Sequence, residues 1–592
     1  MSIVSSLQKN TIDSLTTLYN QSFTEKDFQI NQTKPEFDGD YTVVLFSLVK
    51  SLKLSPNDIG NQLGEHLVKS YPQVYTGFNI IKGFLNLTIT NNYWIDLLNK
   101  NYNHNCYGKK EMNGKKVMVE YSSPNTNKPL HLGHLRNIFL GWSYAEILKV
   151  NGYDVVKSCI VNDRGVHICK SMIAWQKFAN GATPESTGIK GDHFVGNYYV
   201  KFNDAYKDEV TALMTTGKTK EQAEKEAPIM KATQQMLLDW EAGKPDVIEL
   251  WEKMNSWVYA GFDVTYKNIG ADFDKIYYES NTYLLGKDIV KQGMEKNVFY
   301  KKDDGSIWID LTTDGLDEKI VQRSDGTSVY ITQDIGLAVQ KYEQYKIDQS
   351  IYVIGNEQNY HMKVLQLICK KLGMPNAENI FHLSYGMVEL TSGKMKSREG
   401  TVVDADDIVE EMITTSKQHT EELGKVQDFT EAELEELYKT IGLGAMKFYL
   451  LRVDPKKTMV FNPAESIDFH GFTGPFIQYT YARIKSILRK NECQIVENIS
   501  DEMLLPLEKE LIVLAEQYPA ILEQACNEHN PSVIANYSFN LAKTFNSFYS
   551  EHSIAKAETE KKKMLRLKLA LLTANIIKSS MQLLGIAVPE RM

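Results

Sequence analysis

The sequence has few cysteines: six residues scattered along a chain of 592. It contains no C-x-x-C pair, and no histidine lies at a spacing that would complete a zinc site with them. This pattern excludes a disulfide-stapled fold, and we predict no metal-ligand set. We interpret the thiols as buried groups in a reducing compartment: Cys106, Cys159, Cys169, Cys369, Cys493 and Cys526.

Long apolar runs are also missing, since no stretch of about eighteen apolar residues could cross a bilayer. The first residues lack the basic region and apolar run of a secretion signal. We therefore expect a cytoplasmic protein with no membrane segment.

Positive charge is in deficit, because 66 Lys and Arg stand against 75 Asp and Glu, for a formal net charge of −9. Any contact with nucleic acid must use a local basic patch.

The length predicts three or four domains, and 43% hydrophobic with 24% charged residues is ordinary for globular proteins. Residues 1–112 mix short helical patterns with alternating segments such as 80–89, which is typical of a small α+β domain. Strand and helix patterns then alternate between residues 113 and 405. Because such alternation favours a parallel sheet, we predict a Rossmann-like domain there. Its predicted strands are 117–119, 159–161, 351–354 and 385–390, and its first helix is 132–150.

Two further regions read as helical. A charged stretch at about 170–260 is too long for a simple crossover, and we interpret it as an insertion. From about residue 404 strand signals nearly vanish, and apolar residues recur at helical spacing, as in 565–577. The predicted fold class is α/β multidomain, with a helical connecting region at 406–470 and an all-α bundle at 471–592.

The segment from Val119 to His134 joins a buried strand to a helix and ends in His131-Leu-Gly-His134. Unpaired N–H groups and a positive dipole end make a helix N-terminus suitable for phosphates. The two histidines would add donors on the same side, and Gly133 removes a side chain where a flat adenine could lie. The alternative is chance, because H-x-G-H arises in roughly one or two per cent of chains of this kind.

A second segment, Ser392-Gly-Lys-Met-Lys-Ser-Arg-Glu-Gly400, follows the last predicted strand. Its three cations and hydroxyl group, on a glycine-flanked loop, would suit charge developing on a triphosphate. A Lys/Arg cluster alone more often marks a solvated surface turn. Its place after H-x-G-H in an α/β chain favours the phosphate interpretation.

These two segments resemble the signature motifs of class I aminoacyl-tRNA synthetases, and the sequence around them is similar to the arginyl-tRNA synthetase family. Further similar segments are 122–131, 323–334, 474–483 and 589–592. The resemblance implies activation of L-arginine by ATP, with Mg²⁺ bridging the phosphates, and transfer to tRNA(Arg). It implies no covalent intermediate on the protein, and we expect a monomer.

The resemblance also implies roles for residues of the motifs. ATP would contact His131, Gly133, His134, His361, Lys394, Met395 and Ser397. Catalysis would use His131, His134, Lys394 and Lys396. The chain departs from the family pattern at Ser397, where a lysine is usual. We hypothesise that Lys128, three residues before His131, supplies the missing cation; the alternative is an exposed loop lysine.

The substrate side chain carries a guanidinium group, which needs a carboxylate because a buried unpaired cation is very costly. Tyr330 and Asp334 are four residues apart and would share one helix face. The resemblance implies that they hold the guanidinium group together with Gln358. The alternative is that Tyr330 packs in the core and Asp334 caps the helix.

For the α-amino group of arginine, the resemblance indicates three acceptors: Glu120, Ser123 and Asn125. Glu120 would equally suit a solvated strand end. Two other functions stay open, a class I synthetase for another amino acid and a tRNA-binding protein without activity. Asp334 argues against a neutral pocket, and the intact H-x-G-H argues against an inactive protein.

A local basic surplus lies at residues 441–490, which hold eight basic and three acidic side chains. Such charge neutralises phosphates, and interleaved aromatic rings could stack on unpaired bases. The alternative for each residue is a solvated helix with core aromatics. We predict tRNA contacts by Tyr479, Tyr481, Arg483, Lys485 and Met592, and a tRNA contact of the N-terminal domain.

Overall fold

The computed structural model describes residues 3–34, 36–283, 285–390, 403–422, 428–491, 498–500 and 502–592. The N-terminal part packs helices on a four-stranded antiparallel sheet of order β1-β2-β4-β3. Its elements are α1 (Ile3–Tyr19), β1 (Gln29–Gln32), β2 (Tyr41–Val44), α2 (Phe46–Leu52), α3 (Pro56–Ser70), β3 (Tyr75–Ile81), β4 (Phe84–Ile89) and α4 (Asn91–Asn101).

The middle of the chain builds a five-stranded sheet and a set of inserted helices. Its elements are β5 (Lys116–Glu120), α5 (Leu132–Val150), β6 (Asp154–Val161), α6 (Val166–Phe178), α7 (Pro184–Thr187), α8 (Gly191–Thr215), α9 (Lys220–Glu226), α10 (Pro228–Glu241), α11 (Pro245–Ile269), β7 (Lys275–Tyr278), α12 (Glu279–Thr282), α13 (Gly286–Glu295), β8 (Tyr300–Lys301), β9 (Ile307–Ile309), β10 (Lys319–Gln322), α14 (Tyr330–Tyr345), β11 (Gln349–Gly355), α15 (Asn359–Lys371) and β12 (Ile380–Tyr385). The large sheet has the order β12-β11-β5-β6-β7, and all its neighbouring strands are parallel. Strands β8 to β10 form a small antiparallel sheet of their own.

The rest of the chain is almost entirely helical. Its elements are β13 (Val388–Leu390), α16 (Ala405–Glu422), α17 (Glu431–Leu451), β14 (Met459–Phe461), α18 (Pro463–Ser466), α19 (Gly474–Lys490), α20 (Pro506–Asn527), α21 (Ser532–Glu551) and α22 (Glu560–Leu583). One hydrophobic core runs through the N-terminal part, the large sheet and the C-terminal helices, whereas a second core lies under α14 and α15. The predicted fold class, an α/β chain with a parallel sheet and a C-terminal helical bundle, is confirmed. None of the described helices has the length and hydropathy to cross a membrane.

Two strand predictions need correction. The alternating segment 80–89 is not one strand but the hairpin of β3 and β4, because Lys82 and Gly83 both adopt positive φ and reverse the chain. The predicted strand 385–390 spans the last residue of β12 and all of β13. Strand β13 pairs with β14 rather than with the large sheet, so it leaves the sheet before the second motif.

The start of α5 is held in place by Arg136, which is completely buried. Its guanidinium group donates to four backbone oxygens on two other segments, those of Gly386 (2.7 Å), Met387 (3.1 Å), Pro455 (3.3 Å) and Lys457 (2.8 Å). Burial lowers the pKa of Arg136 to about 10, so the side chain stays charged at neutral pH. One side chain therefore joins α5 to two loops, the one between β12 and β13 and the one between α17 and β14.

We predict that Arg136→Met lowers the thermal unfolding midpoint strongly, because four backbone carbonyl groups, two of them on buried residues, lose their donor at a cost of about 3 kcal/mol or more. Differential scanning calorimetry measures the shift. Arg489→Met is the control, since Arg489 is exposed and donates to one backbone oxygen only. Equal shifts in the two variants would contradict the proposed joining role.

Candidate functional site

The H-x-G-H segment forms the first turn of α5. His131 is the N-cap, and its Nδ1 accepts a hydrogen bond from the Gly133 amide at 3.1 Å. The Nδ1 of His134 accepts one from the His131 amide, also at 3.1 Å. Since each Nδ1 is an acceptor, a neutral ring must carry its hydrogen on Nε2. Both histidines therefore have an Nε2–H donor that these local bonds do not use.

The two rings are neutral in this arrangement. Burial, followed by the charge of Lys128, lowers the pKa of His131 to about 4, although Asp404 opposes the shift. Burial and the neighbouring His131 hold the pKa of His134 far below its usual value. The ring centroids are 3.9 Å apart, a distance that two imidazolium cations would resist. The two histidines can therefore donate hydrogen bonds to phosphate oxygens while carrying no positive charge themselves.

Lys128 lines a cavity beside these rings, together with Pro129, Leu130, His131, His193, Gly196, Asn197, Tyr199, Val200, Asp404 and Asp407. The side chain is partly buried, and burial lowers its pKa. Its charge also lowers the pKa of both histidines. The alternative of an exposed loop lysine is therefore wrong.

The second motif lies outside the described residues, so Lys394, Met395, Lys396 and Ser397 stay predictions. The described chain resumes at Val403, next to the first motif. The Val403 oxygen accepts from the Leu132 amide at 3.4 Å, and the Ala405 amide donates to the Leu130 oxygen at 3.0 Å. The residues that follow the second motif thus pair with the backbone of His131.

The predicted guanidinium ligands lie at the start of α14. Tyr330 is its first residue and is 76% exposed, so the core-packing alternative is wrong. Val329 caps the helix, and Asp334 lies in the second turn with a half-exposed carboxylate. The third predicted ligand, Gln358, is exposed in a short turn after β11.

His361 lies beside Asp334, one of the predicted guanidinium ligands. Its Nε2 lies 2.6 Å from Asp334 Oδ2. His361 lies in the first turn of α15, after the short turn that follows β11, and its contact with the nucleotide stays a prediction.

Sequence reasoning missed Glu279, which begins α12 directly after β7. Burial raises its pKa to about 7; Arg164 lowers it, and the charges of Asp163 and Asp334 raise it further. A guanidinium group between Glu279 and Asp334 would relieve this repulsion. The available signal was an acidic residue at the carboxyl end of a strand, which is also the place of Glu120.

The predicted α-amino ligands lie at the carboxyl end of β5. Glu120 is only 5% exposed, and its Oε2 accepts from Lys341 Nζ at 2.5 Å, so the solvated-end alternative is wrong. Ser123 has a φ of 47°, a conformation that turns the chain sharply after the strand. Asn125 forms a parallel bridge with Asn162, which follows β6. These residues line the same edge of the sheet as the H-x-G-H turn.

Comparison with known proteins agrees with this geometry. Residues 96–462 match the family model of the class I (R) tRNA synthetase catalytic domain, 5–89 the arginyl tRNA synthetase N-terminal domain, and 477–592 the DALR anticodon binding domain. The arginine–tRNA ligase of Flavobacterium psychrophilum is 55% identical over 99% of this chain and 100% of its own. That of Bacteroides thetaiotaomicron is 52% identical over the full length of both chains.

The chain belongs to the arginyl-tRNA synthetase family. Its fold is similar to that of the arginyl-tRNA synthetases of Thermus thermophilus and Plasmodium falciparum, each with a TM-score of 0.78. The Thermus thermophilus protein is 23% identical, and the match covers 99% of this chain and 100% of the Thermus chain. The Plasmodium falciparum protein is 19% identical, and the match covers 100% of this chain and 99% of the Plasmodium chain.

The predicted tRNA contacts of this arginyl-tRNA synthetase family member lie on or beside α19. Tyr479 is half-buried, with the Arg483 guanidinium 4.8 Å from its ring centroid. Tyr481 is only 2% exposed, and its hydroxyl donates to Glu590 Oε1 at 3.0 Å. A buried ring cannot stack on a base, so the assignment of Tyr481 is wrong in this arrangement.

The other predicted tRNA residues have protein partners. Arg483 donates to Asn546 Oδ1 at 2.6 Å, and Lys485 pairs with Glu590 at 3.2 Å. Met592 is half-buried and packs against the core. Lys447, one of the eight basic residues at 441–490, is also internal, since it is only 6% exposed and donates to the Gly585 oxygen. Burial lowers the pKa of Lys447 to about 8.

We predict that Lys128→Ala lowers the rate of adenylate formation by roughly 10²-fold, with little change in the arginine KM. The partly buried ammonium group beside His131 would be most effective when charge develops on the leaving pyrophosphate. Pre-steady-state measurement with saturating tRNA tests this, with the exposed Lys115→Ala as control. A near-wild-type rate in Lys128→Ala would return the role to the second motif.

Proposed function

We propose that the chain is an arginine–tRNA ligase whose amino-acid pocket lies between Glu120 at one end and Asp334 with Glu279 at the other. The observation that carries this proposal is the separation of charge at one edge of the sheet. The phosphate side has neutral imidazole donors and Lys128, which shares its cavity with Asp404 and Asp407, whereas the carboxylates of Glu120, Glu279 and Asp334 lie on the amino-acid side. A cationic amino acid and a triphosphate would therefore each meet the complementary surface.

The reaction follows from these positions. The carboxylate of arginine attacks the α-phosphorus of ATP, the bond to pyrophosphate breaks, and arginyl-adenylate forms. The Nε2–H groups of His131 and His134 and the ammonium group of Lys128 stabilise the charge on the phosphate oxygens. A terminal ribose hydroxyl of tRNA then attacks the adenylate carbonyl, and AMP leaves. No side chain forms a covalent bond with the substrate, because positioning and electrostatics suffice.

Mg²⁺ enters with ATP in this proposal. Among the described residues, Asp192, His193 and Asp406 lie close enough to share an ion. The Lys190 ammonium group already contacts Asp192 at 3.1 Å and Asp406 at 2.6 Å, so a cation fills this cluster. We therefore assign no resident metal site; Mg²⁺ would arrive with ATP and offset the negative charge of its phosphates.

We also propose the division of labour along the chain. Residues 1–112 contact tRNA, 113–405 catalyse with an insertion at about 170–260, 406–470 connect, and 471–592 bind the anticodon. The match of the last part to an anticodon binding domain and the half-exposed Tyr479 support this division. Since one chain holds every matched part, we expect a monomer to be active.

We predict that Asp334→Ala raises the arginine KM at least roughly tenfold, because truncating one partner of a desolvated charge pair costs about 2 kcal/mol or more. ATP–pyrophosphate exchange across the twenty amino acids, with and without tRNA, measures this effect and the substrate choice together. Glu343→Ala, an exposed position of the same helix, is the control. An unchanged arginine KM in Asp334→Ala would remove this residue from the pocket, and exchange with a different amino acid would reject the proposed substrate.

We predict that Tyr479→Ala raises the tRNA KM about fivefold or more without changing the arginine KM, because stacking of one base contributes about 1–3 kcal/mol. Tyr481→Phe is the matched control on the same helix, since it keeps the buried ring and removes only the hydroxyl. Steady-state aminoacylation measures both variants. A larger tRNA effect in Tyr481→Phe than in Tyr479→Ala would place the tRNA surface elsewhere.

A further inference from the structure

A buried ion pair joins strand β5 of the large sheet to helix α14, which is distant in sequence. Lys341 is 1% exposed and Glu120 is 5% exposed, and Nζ lies 2.5 Å from Oε2. Removing one partner of such a pair leaves an uncompensated buried charge, which is strongly unfavourable. Lys341 belongs to neither signature motif, so the reaction described above leaves its role open.

The surroundings of Glu120 make Lys341 its main electrostatic partner. Among the described residues, Glu120 also interacts electrostatically with Tyr352 on the adjacent strand β11, Tyr277 on β7 and Cys159 on β6. Burial raises the pKa of Cys159 to about 12 and raises the pKa of both tyrosines, so all three stay neutral. The ring centroids of Tyr352 and Tyr277 lie 4.5 and 5.7 Å from Lys341 Nζ, so both rings contact the ammonium group.

Lys341 also shares a helix face with the predicted guanidinium ligand. Asp334 and Lys341 are seven residues apart on α14, which brings them to the same side of the helix at a distance of about 10 Å along its axis. The carboxylates of Glu120 and Asp334 both raise the pKa of Tyr352, which is buried on β11. A single rigid helix therefore contacts both ends of the proposed arginine pocket.

We infer that Lys341 is a positioning residue for amino-acid binding: its ammonium group orients the Glu120 carboxylate through Oε2, which leaves Oε1 for the α-ammonium group of arginine. The inference rests on the proposed role of Glu120 as the α-amino ligand. Together with Asp334, Lys341 makes α14 the element that sets the distance between the two ends of the substrate. Lys341 itself does not touch arginine.

The test is Lys341→Met in the full-length enzyme, assayed by ATP–pyrophosphate exchange with saturating ATP and tRNA. We expect the arginine KM to rise about tenfold at pH 7, with the ATP KM unchanged. Without its partner, buried Glu120 has a raised pKa and is protonated at low pH. The ratio of variant to wild-type arginine KM should therefore fall as the pH rises from about 6.5 to 8.5, whereas Lys341→Arg should stay close to wild type.

Lys157→Met is the matched control, because Lys157 is also buried and ion-paired on the neighbouring strand β6. It should lower stability without making the arginine KM dependent on pH. A folded Lys341→Met enzyme whose arginine KM stays within twofold of wild type, or rises independently of pH, would overturn the inference.

Two more variants separate the inference from the proposed function. If Glu120→Gln leaves the arginine KM unchanged, the α-amino role of Glu120 fails, whatever Lys341 does. If Glu120→Gln raises it and Lys341→Met does not, only the positioning role fails. Should Lys341→Met not fold, the neutral double variant Glu120→Gln/Lys341→Met provides the test, since its arginine KM should equal that of Glu120→Gln alone. A further increase in the double variant would contradict the inference.

Discussion

Parallel pairing of five strands is the constraint on which the site depends. Because β12, β11, β5, β6 and β7 all run in one direction, the residues that follow them emerge at the same edge of the sheet. Glu120 ends β5, Asp163 follows β6, Glu279 follows β7 and Gln358 follows β11. Polar residues that are far apart in sequence thereby surround one space, and the first turn of α5 opens beside it.

The site divides this edge into two electrostatic halves. On the proposed phosphate side, burial keeps His131 and His134 neutral, so their N–H groups can donate without adding charge that would repel a cationic amino acid. On the amino-acid side, burial and mutual repulsion raise the pKa of Glu279, which a bound guanidinium group would reverse. The same low-polarity surroundings thus have opposite effects on basic and acidic groups.

Helix α5 connects this chemistry to the rest of the molecule. Its first turn carries the histidines, and Arg136, one turn later, holds the segments around residues 386 and 456. Farther along, Tyr144 donates to the Cys526 oxygen and Asn151 to the Leu522 oxygen, both on α20. The element that presents the phosphate donors is therefore also the element against which the C-terminal bundle packs.

The sequence by itself determined the features that depend on neighbouring residues. The helix predicted at 132–150 is α5 as found, with His131 at its N-cap, because capping and helical periodicity are local. The placement of Tyr330 and Asp334 on one face of α14 and the alternation of strands and helices are local in the same sense. In the hairpin of β3 and β4, the same alternation did not show where the chain reverses, although Lys82-Gly83 was the available signal.

Only the tertiary structure decided burial and distant partners. Tyr479 and Tyr481 are equally aromatic and two positions apart, yet they point to opposite sides of α19, and only what packs on each side makes one half-buried and the other buried. Glu120 and Lys341 are 221 residues apart, and the charge of Asp334 affects Glu279 only because α12 and α14 come into contact in the fold. Hydrogen bonding within a turn is set by adjacent residues, whereas desolvation and ion pairing depend on which elements the fold brings together.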